Sequence, residues 1–255
     1  MKSKKATFKG KSSPYNGKEK ETVRLNKFLA NAGICSRREA DENIKMGLVH
    51  VNGKVVTEMG FQVGPTDEVK FDGARIQKTP PAYLLLNKPK GFVATAQGGL
   101  IKKSVQELIR SAAKTKIPPI GDMGRPMTGL LLFTNDEGLR KKLSQSPSIP
   151  MVYQVILDKN VTIEMIKQLK KGQLIFDKEA KINTISHLEG KSKNEVGIEV
   201  YSLSPAALVK LFEAVGLKVV QMDRVTFGGL TKKDLPRGNW RKLSPKEVGF
   251  LKMLP

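Results

Sequence analysis

Apolar residues recur at helical spacing near the start of the chain. The positions are Leu25, Phe28, Leu29, Ala32, Ala40 and Ile44. Gly33 interrupts the pattern, and Ser36 followed by Glu39 three residues later is a capping box. The pattern therefore predicts two short helices, the second beginning at Ser36. A hairpin follows, because strand-like residues flank Asn52-Gly53, and a further strand at 68–71 ends at the Asp72-Gly73 turn.

Strand and helix patterns then alternate to the end of the chain. Strands are predicted at 83–86, 129–133, 152–157, 182–186 and 197–201, and helices at 105–113, 162–170, 205–215 and from 245 onward. Two prolines in residues 77–81 indicate a linker before this region. The alternation predicts an α+β protein with a mixed sheet.

The stretch 120–136 is a Gly/Pro-rich turn followed by an apolar run that ends at the polar residues 134–136. This pattern predicts a loop feeding a buried strand, an arrangement that often carries functional residues. Asp122 is the only carboxylate in the loop, and Gly124, Arg125 and Pro126 follow it. The alternative is a tight connection that only turns the chain.

Charge points to a polyanionic partner. The 255 residues contain 45 Lys plus Arg against 24 Asp plus Glu, a net charge of +21. Nucleic acid is the leading partner, and a generally solvated basic surface is the alternative. Residues 1–22 contain seven lysines and few large apolar residues. We expect them to be a disordered basic tail that serves as a phosphate-binding arm or as a solubilising extension.

Several protein classes are disfavoured by the composition. There is no apolar run of about 18 residues and no signal-peptide core, so we expect a cytoplasmic protein without a membrane partner. With one cysteine, Cys35, and two histidines, His50 and His187, no Cys/His metal site is expected. Cys35 is interpreted as a packed helix residue, and the chain as a monomer.

The runs Arg24-Leu25-Asn26-Lys27-Phe28-Leu29-Ala30, Cys35-Ser36-Arg37-Arg38-Glu39-Ala40 and Val51-Asn52-Gly53-Lys54 resemble the small RNA-binding module named after ribosomal protein S-four. The resemblance covers residues 23–76 and implies a basic face for structured RNA. The residues that it places on this face are Arg24, Lys27, Ser36, Arg37, Arg38, Lys45 and Asn52.

Residues 82–255 resemble the pseudouridine synthases that modify ribosomal RNA. The segments that carry the resemblance are 86–91 (Leu-Asn-Lys-Pro-Lys-Gly), 129–136 (Gly-Leu-Leu-Leu-Phe-Thr-Asn-Asp), Tyr153, 212–216, Arg224-Val225 and Trp240-Arg241. The resemblance implies ribosomal RNA as partner, with basic contacts from Lys88, Lys90 and Lys210. It also implies an aspartate that attacks a flipped uridine without any cofactor or metal.

The sequence departs from that family at the decisive position. Counted back from the Gly-Leu-Leu-Leu run, the family's arginine falls on Asp122 and its catalytic aspartate on Gly124. The basic residue that precedes the family's tyrosine by two is Met151 here, whereas Tyr153 itself is kept. The family's arginine-rich stretch reads 203–210 here, with Lys210 alone still basic.

Three hypotheses follow. The first is a non-catalytic RNA-binding relative of these synthases with a role in ribosome assembly or RNA folding. The second is an active synthase with Asp122 as a displaced acid. The third is a basic scaffold that binds DNA or protein.

Overall fold

The computed structural model describes residues 22–76, 80–94, 103–112 and 116–255. The chain forms two compact units, with the division between residues 78 and 79. The predicted basic tail lies outside the described residues, apart from residue 22, as does most of the predicted linker. Within the described part of the chain, no helix is long and apolar enough to cross a bilayer.

The described residues of the first unit, 22–76, form two helices and six short strands. Their bounds are β1 Val23–Arg24, α1 Leu25–Asn31, α2 Arg37–Lys45, β2 Val49–Val51, β3 Lys54–Val55, β4 Gln62–Val63, β5 Val69–Phe71 and β6 Ala74–Arg75. The predicted capping box is present: the Glu39 amide donates to the Ser36 hydroxyl, and the Ser36 amide donates to the Glu39 carboxylate. The predicted hairpin at Asn52-Gly53 is present as β2 with β3, and the strand predicted before Asp72-Gly73 is β5, which pairs with β6 in a second hairpin.

The second unit is built on an eight-stranded mixed sheet. Its strands are β7 Tyr83–Lys88, β8 Thr128–Thr134, β9 Pro150–Leu157, β12 Thr184–His187, β13 Glu195–Tyr201, β14 Val219–Phe227, β15 Leu230–Thr231 and β16 Trp240–Lys242. The order is β12-β13-β9-β14-β8-β7-β16, with β15 paired to β14. Strands β8 and β14 are parallel, whereas the other pairs are antiparallel. The predicted α+β class is therefore confirmed.

The remaining elements of the second unit lie around this sheet. They are α3 Val105–Leu108, α4 Glu137–Gln145, α5 Ile163–Lys171, the hairpin β10 Gln173–Ile175 and β11 Lys178–Ala180, α6 Pro205–Ala214 and α7 Pro245–Met253. Strand β8 is buried along all seven residues, and its side chains alternate between two apolar clusters. Leu130 and Leu132 belong to one cluster, and Leu131 and Phe133 to the other. A continuous apolar run is what a strand covered on both faces requires.

Three local predictions were wrong or incomplete. The helix predicted at 105–113 ends at Leu108, and a 3₁₀ turn follows at Arg110–Ala112. Helix α4 was not predicted, because only Leu139 and Leu143 mark its buried side. The hairpin β10–β11 was missed, since Phe176 and Asp177 form its turn instead of the usual Asn-Gly.

Candidate functional site

Four adjacent strands bring the family-like segments together. Tyr153 of β9 pairs with Arg224 of β14, Arg224 pairs with Gly129 of β8, and Gly129 pairs with Lys88 of β7. The loop 121–127 leads directly into β8. The sequence-distant residues of the predicted cleft therefore meet in one row across the sheet.

Gly129 permits the close approach of β8 to β14. Its φ is +103°, and a Cβ atom there would lie 2.3 Å from the backbone oxygen of Arg224 and 2.5 Å from its backbone nitrogen. No side chain fits such a gap, and the positive φ itself favours glycine. The glycine of the Gly-Leu-Leu-Leu run thus fixes the position of Arg224 relative to the loop.

A cavity of about 170 Å³ opens beside this row. Its lining residues come from the loop, α4, β9, β14 and the segment before α6: Ile120, Gly121, Asp122, Leu143, Ser144, Ile149, Met151, Ser202, Leu203, Ser204, Pro205, Arg224 and Phe227. Asp122 and Arg224, of opposite charge, thus line the same cavity. Tyr153 does not line it and is 1% exposed.

Arg224 is a buried cation, 3% exposed, and it contacts no carboxylate in the part of the chain that the structure describes. Its Nε donates to the Leu130 carbonyl at 2.6 Å, and its Nη1 lies 3.7 Å from the Met151 sulfur. The guanidinium carbon lies 4.9 Å from the centroid of the Phe227 ring. Its Nη2 is buried and finds no hydrogen-bond partner within the described residues. Buried charges ordinarily require pairing, so this guanidinium is incompletely satisfied.

Met151 contacts both polar side chains of the row. The Tyr153 hydroxyl donates to its sulfur at 3.5 Å, while Arg224 approaches the same atom. A thioether is a weak acceptor and carries no charge. The position where the family has a basic residue is therefore filled by an apolar side chain that offers little to a polar ligand.

Lys88 is fully buried, at 0% exposed, which corrects its prediction as an RNA-contacting residue. Its ammonium donates to the carbonyl oxygens of Met127 at 2.6 Å, Gly124 at 3.0 Å and Pro89 at 3.3 Å. Burial, aided by the nearby Arg237 charge and opposed by Asp122, lowers the pKa of Lys88 to about 8. These hydrogen bonds connect the loop 121–127 to the end of β7, so Lys88 stabilises the fold.

Asp223, next to Arg224 on β14, is the centre of a satisfied polar network. It accepts hydrogen bonds from the Thr128 hydroxyl at 2.6 Å, from Arg237 at 2.7 Å and from the Lys232 ammonium. Arg237 also donates to the Asn87 side chain at 2.9 Å. Burial raises the pKa of Asp223, but these donors outweigh it and hold the pKa below the ordinary value.

The loop residues differ in their surroundings. Asp122 is exposed, and its carboxylate accepts the Met123 amide at 2.8 Å. A Cβ atom at Gly124 would meet only the Pro126 Cδ atom, at 3.6 Å. A side chain at Gly124 would therefore fit without displacing its neighbours.

The predicted RNA-binding residues of the first unit lie at or near its surface. Arg24, Ser36, Arg37, Arg38, Lys45 and Asn52 are exposed, and Lys27 is half-buried. Ser36 caps α2, and Asn52 binds the Asp67 side chain and the Glu68 amide, so both also stabilise the fold. In the second unit Lys90 is exposed, and Lys210 forms a 2.7 Å ion pair with Glu213. Their contact with RNA stays a prediction.

The sequence interpretation missed the site roles of Asp223, Arg224, Lys232 and Arg237. One signal was available: an aspartate and an arginine side by side within a strand-like run, where charged residues are rarely buried without partners. Cys35 lies just before α2 rather than within it, and burial raises the pKa of its thiol. Groups of three or more potential metal ligands do not occur among the residues that the structure describes.

Two family models match the chain. The S4 domain matches residues 23–69, and the RNA pseudouridylate synthase family matches residues 82–210. These ranges coincide with the first unit and with most of the sheet of the second.

Individual proteins are similar over nearly the whole chain. Ribosomal large subunit pseudouridine synthase B of Bacillus subtilis is 32% identical, over 91% of this chain and 96% of its own length. The dual-specificity RNA pseudouridine synthase RluF of Escherichia coli is 30% identical, over 89% of this chain and 77% of its own length. A crystal structure of a pseudouridylate synthase, 23% identical, has the same fold with a TM-score of 0.63 over 90% of this chain and 99% of that one.

Proposed function

We propose that this chain, which belongs to the RNA pseudouridylate synthase family, binds ribosomal RNA without isomerising uridine. Its role would be in ribosome assembly or RNA folding, as a cytoplasmic monomer. The RNA-binding part of the proposal and the non-catalytic part rest on different observations.

RNA binding is supported by the S4 domain and by charge. The relative from Bacillus subtilis is named for the ribosomal large subunit. The net charge of +21 suits a polyanion, and Arg37 and Arg38 are exposed in the first turn of α2. Cations at this end of a helix oppose its dipole, which is tolerable where phosphate contact compensates.

Loss of catalysis is supported above all by Gly124, the position of the family's catalytic aspartate, because glycine has no side chain that could act as nucleophile. The surroundings agree with that loss. The Met151 sulfur takes the place of a basic group and is the neighbour of both Tyr153 and Arg224. Catalysis of this kind needs charged or polar groups that are already oriented toward the reacting atoms. Here the uncharged thioether of Met151 contacts both the Tyr153 hydroxyl and the Arg224 guanidinium.

Two measurements test the proposal. Purified protein incubated with ribosomal RNA transcripts should produce no pseudouridine, as read by mass spectrometry of nuclease digests. The same transcripts should bind, and replacing Arg37 and Arg38 together by Ala should weaken binding. That variant should also flatten the slope of log affinity against log salt by about one unit or less per lost phosphate contact. An unchanged slope would place the RNA face elsewhere.

One competing function is an active synthase that uses Asp122, and it is favoured by the cavity that Asp122 and Arg224 both line. A catalytic carboxylate needs a nearby cation to stay ionised, and Asp122 and Arg224 line the same cavity. Moving the acid by two residues shifts it by about 6 to 7 Å in an extended segment, which covalent chemistry does not tolerate without a rebuilt loop. Pseudouridine formed by the unmodified protein and abolished in Asp122→Asn would establish this function instead.

A further inference from the structure

The hairpin β10–β11 exposes two large apolar side chains. Leu174 is 76% exposed and Phe176 is 62% exposed, and neither belongs to the buried apolar clusters of the second unit. The other face of the hairpin is covered, since Ala180 is buried and Ile175 is half-buried. No residue of the hairpin is among the described lining of the cavity beside Arg224. The hairpin therefore presents an apolar surface that is separate from that cavity.

The turn of this hairpin holds Phe176 in an unfavourable backbone conformation. The φ angles are +52° at Phe176 and +58° at Asp177. Two-residue turns with positive φ at both positions favour Asn-Gly, as in the turn Asn52-Gly53 of the first unit. A bulky aromatic residue in this region is strained, and such strain persists mostly at functional sites. The choice of Phe176 for this turn therefore points to a use for its exposed ring.

The base of the hairpin is fixed to the rest of the second unit. Gly172 ends α5 with φ +77°, and a Cβ atom there would lie 2.7 Å from the Ala180 carbonyl oxygen. The Ile182 amide donates to the Leu169 carbonyl at 3.1 Å, which joins the strand after the hairpin to α5. Because both ends are held, Phe176 is presented in a defined position, and a ligand pays less entropy to bind it.

Positive charge surrounds the exposed side chains. Four exposed lysines lie at the end of α5, on β11 and directly after it: Lys170, Lys171, Lys178 and Lys181. The acids of the segment 170–181 are Asp177 and Glu179, so its net charge is +2. Glu179 forms a 3.5 Å ion pair with Lys181, which further reduces the negative charge that a ligand meets. The charge favours an anionic partner.

We infer that Phe176 stacks on an unpaired base of bound RNA while the surrounding lysines contact the adjacent phosphates. An exposed aromatic ring beside cations suits single-stranded nucleic acid, because every base has an apolar face and every nucleotide carries a charge. A second copy of this chain fits less well, since it carries the same net charge of +21. The inference rests on the RNA binding proposed above and adds to it a contact on the second unit that selects unpaired nucleotides.

The full-length protein is titrated by fluorescence anisotropy at constant ionic strength with two labelled probes. One is a short oligouridine, and the other is the same strand annealed to oligoadenine, in which no base is free to stack. Phe176→Leu should weaken oligouridine binding by at least about fivefold, as loss of one base–aromatic stack does. It should leave duplex binding unchanged. Phe176→Trp keeps an aromatic ring and should retain the affinity of the parent for oligouridine.

Two further variants separate stacking from general apolar or electrostatic effects. Ile163 on α5 is 67% exposed, and Ile163→Asn should bind both probes as the parent does. Lys171→Gln combined with Lys178→Gln should flatten the slope of log affinity against log salt, by about one unit or less per lost phosphate contact. Equal losses in Ile163→Asn and Phe176→Leu, or equal losses for duplex and oligouridine in Phe176→Leu, would overturn the inference.

A relaxed turn covers the case in which Phe176→Leu fails to fold. Phe176→Asn combined with Asp177→Gly gives the turn its preferred residues, so its thermal midpoint should be no lower than that of the parent. This double variant should nevertheless lose oligouridine affinity, whereas Asp177→Gly alone, which removes only a negative charge, should not. If the double variant binds oligouridine as Asp177→Gly does, Phe176 makes no contact with RNA and the inference is wrong.

The outcomes also distinguish this inference from the proposed function. If the parent binds neither probe nor ribosomal RNA transcripts, RNA binding itself is refuted. If the parent binds both probes and Phe176→Leu matches it, only the stacking contact is refuted. Sedimentation of the concentrated parent and of Phe176→Leu tests the remaining occupant. Self-association that disappears in the variant, with unchanged oligouridine binding, would assign the hairpin to a contact between copies and overturn the inference.

Discussion

Asp223 and Arg224 are consecutive residues of β14, and each is 3% exposed. The carboxylate of Asp223 has three side-chain donors, whereas the guanidinium of Arg224 has one carbonyl, one sulfur and one unpaired nitrogen. Their different surroundings separate two functions of the same strand. The Asp223 side joins β14 to β8 and to the segment around Arg237, so it stabilises the sheet. The Arg224 side lines the cavity, and its guanidinium is incompletely paired.

The strongest test of this comparison is Asp223→Asn. It removes the charge that pairs with Lys232 and Arg237, and breaking a buried ion pair usually costs about 3 to 5 kcal/mol. Since both cations remain partly exposed and can regain water, we expect the lower value, about 3 kcal/mol. Urea denaturation at pH 7 measures the change in the free energy of unfolding.

Arg224→Met is the matched control on the neighbouring residue. It removes a buried charge that has no ionic partner among the described residues, so we expect a loss of less than about 1 kcal/mol, or a gain. Equal losses in the two variants would show that Arg224 belongs to the stabilising network and that the comparison is wrong.

Lys88→Met sharpens the comparison through pH. The folded-state pKa of Lys88, about 8, lies below the ordinary value of 10.5, so between these values the unfolded chain binds more protons. The stability of the parent relative to Lys88→Met should therefore rise from pH 8 to 10.5, by about 3 kcal/mol. Denaturation of both proteins across this range measures it. The exposed Lys90→Met should show no such trend.

Glu247→Gln tests a satisfied ion pair nearer the surface. Arg241 donates two hydrogen bonds to Glu247, at 2.7 and 2.9 Å, and lowers its pKa to about 2. The folded pKa is depressed, so this stabilisation is complete above about pH 4.5 and is lost as the pH falls toward 2. We expect a loss of about 1 kcal/mol at pH 7, because the carboxylate is partly exposed. Acid titration of both proteins by circular dichroism should show the difference disappearing near pH 2.

Gly124→Asp is expected to have the smallest effect. A Cβ atom fits at this position, so stability should change by less than about 1 kcal/mol. Pseudouridine formation should stay undetectable, because the side chain beside Tyr153 and Arg224 is the uncharged thioether of Met151. Activity in Gly124→Asp alone would mean that Arg224 suffices as the partner of the new carboxylate.

The sequence predicted the parts of the fold that depend on local patterns. The capped helix α2, the Asn52-Gly53 hairpin and the buried run of β8 are set by neighbours within a few residues. Helix α4 was missed because a helix with two buried residues leaves almost no periodic signal. In the site, the role of Gly124 stays a prediction made by counting along one segment, whereas the Asp223 network joins residues up to 150 positions apart, which no local pattern shows. The burial of Lys88 follows from three backbone carbonyls that no sequence pattern shows.

The position of β14 also sets the order in which the second unit can assemble during synthesis. This strand lies between β8 and β9, yet it follows both in the chain by more than 60 residues. Until residues 219–227 leave the ribosome, β8 and β9 have no strand between them to pair with. The cavity also lacks the lining that Arg224 and Phe227 of β14 provide. Pairings across such separations form slowly, so the nascent sheet exposes two apolar half-sheets for a time. We therefore expect chains released before β14 to aggregate, whereas the first unit, whose described strand pairings join residues no more than 40 positions apart, folds early.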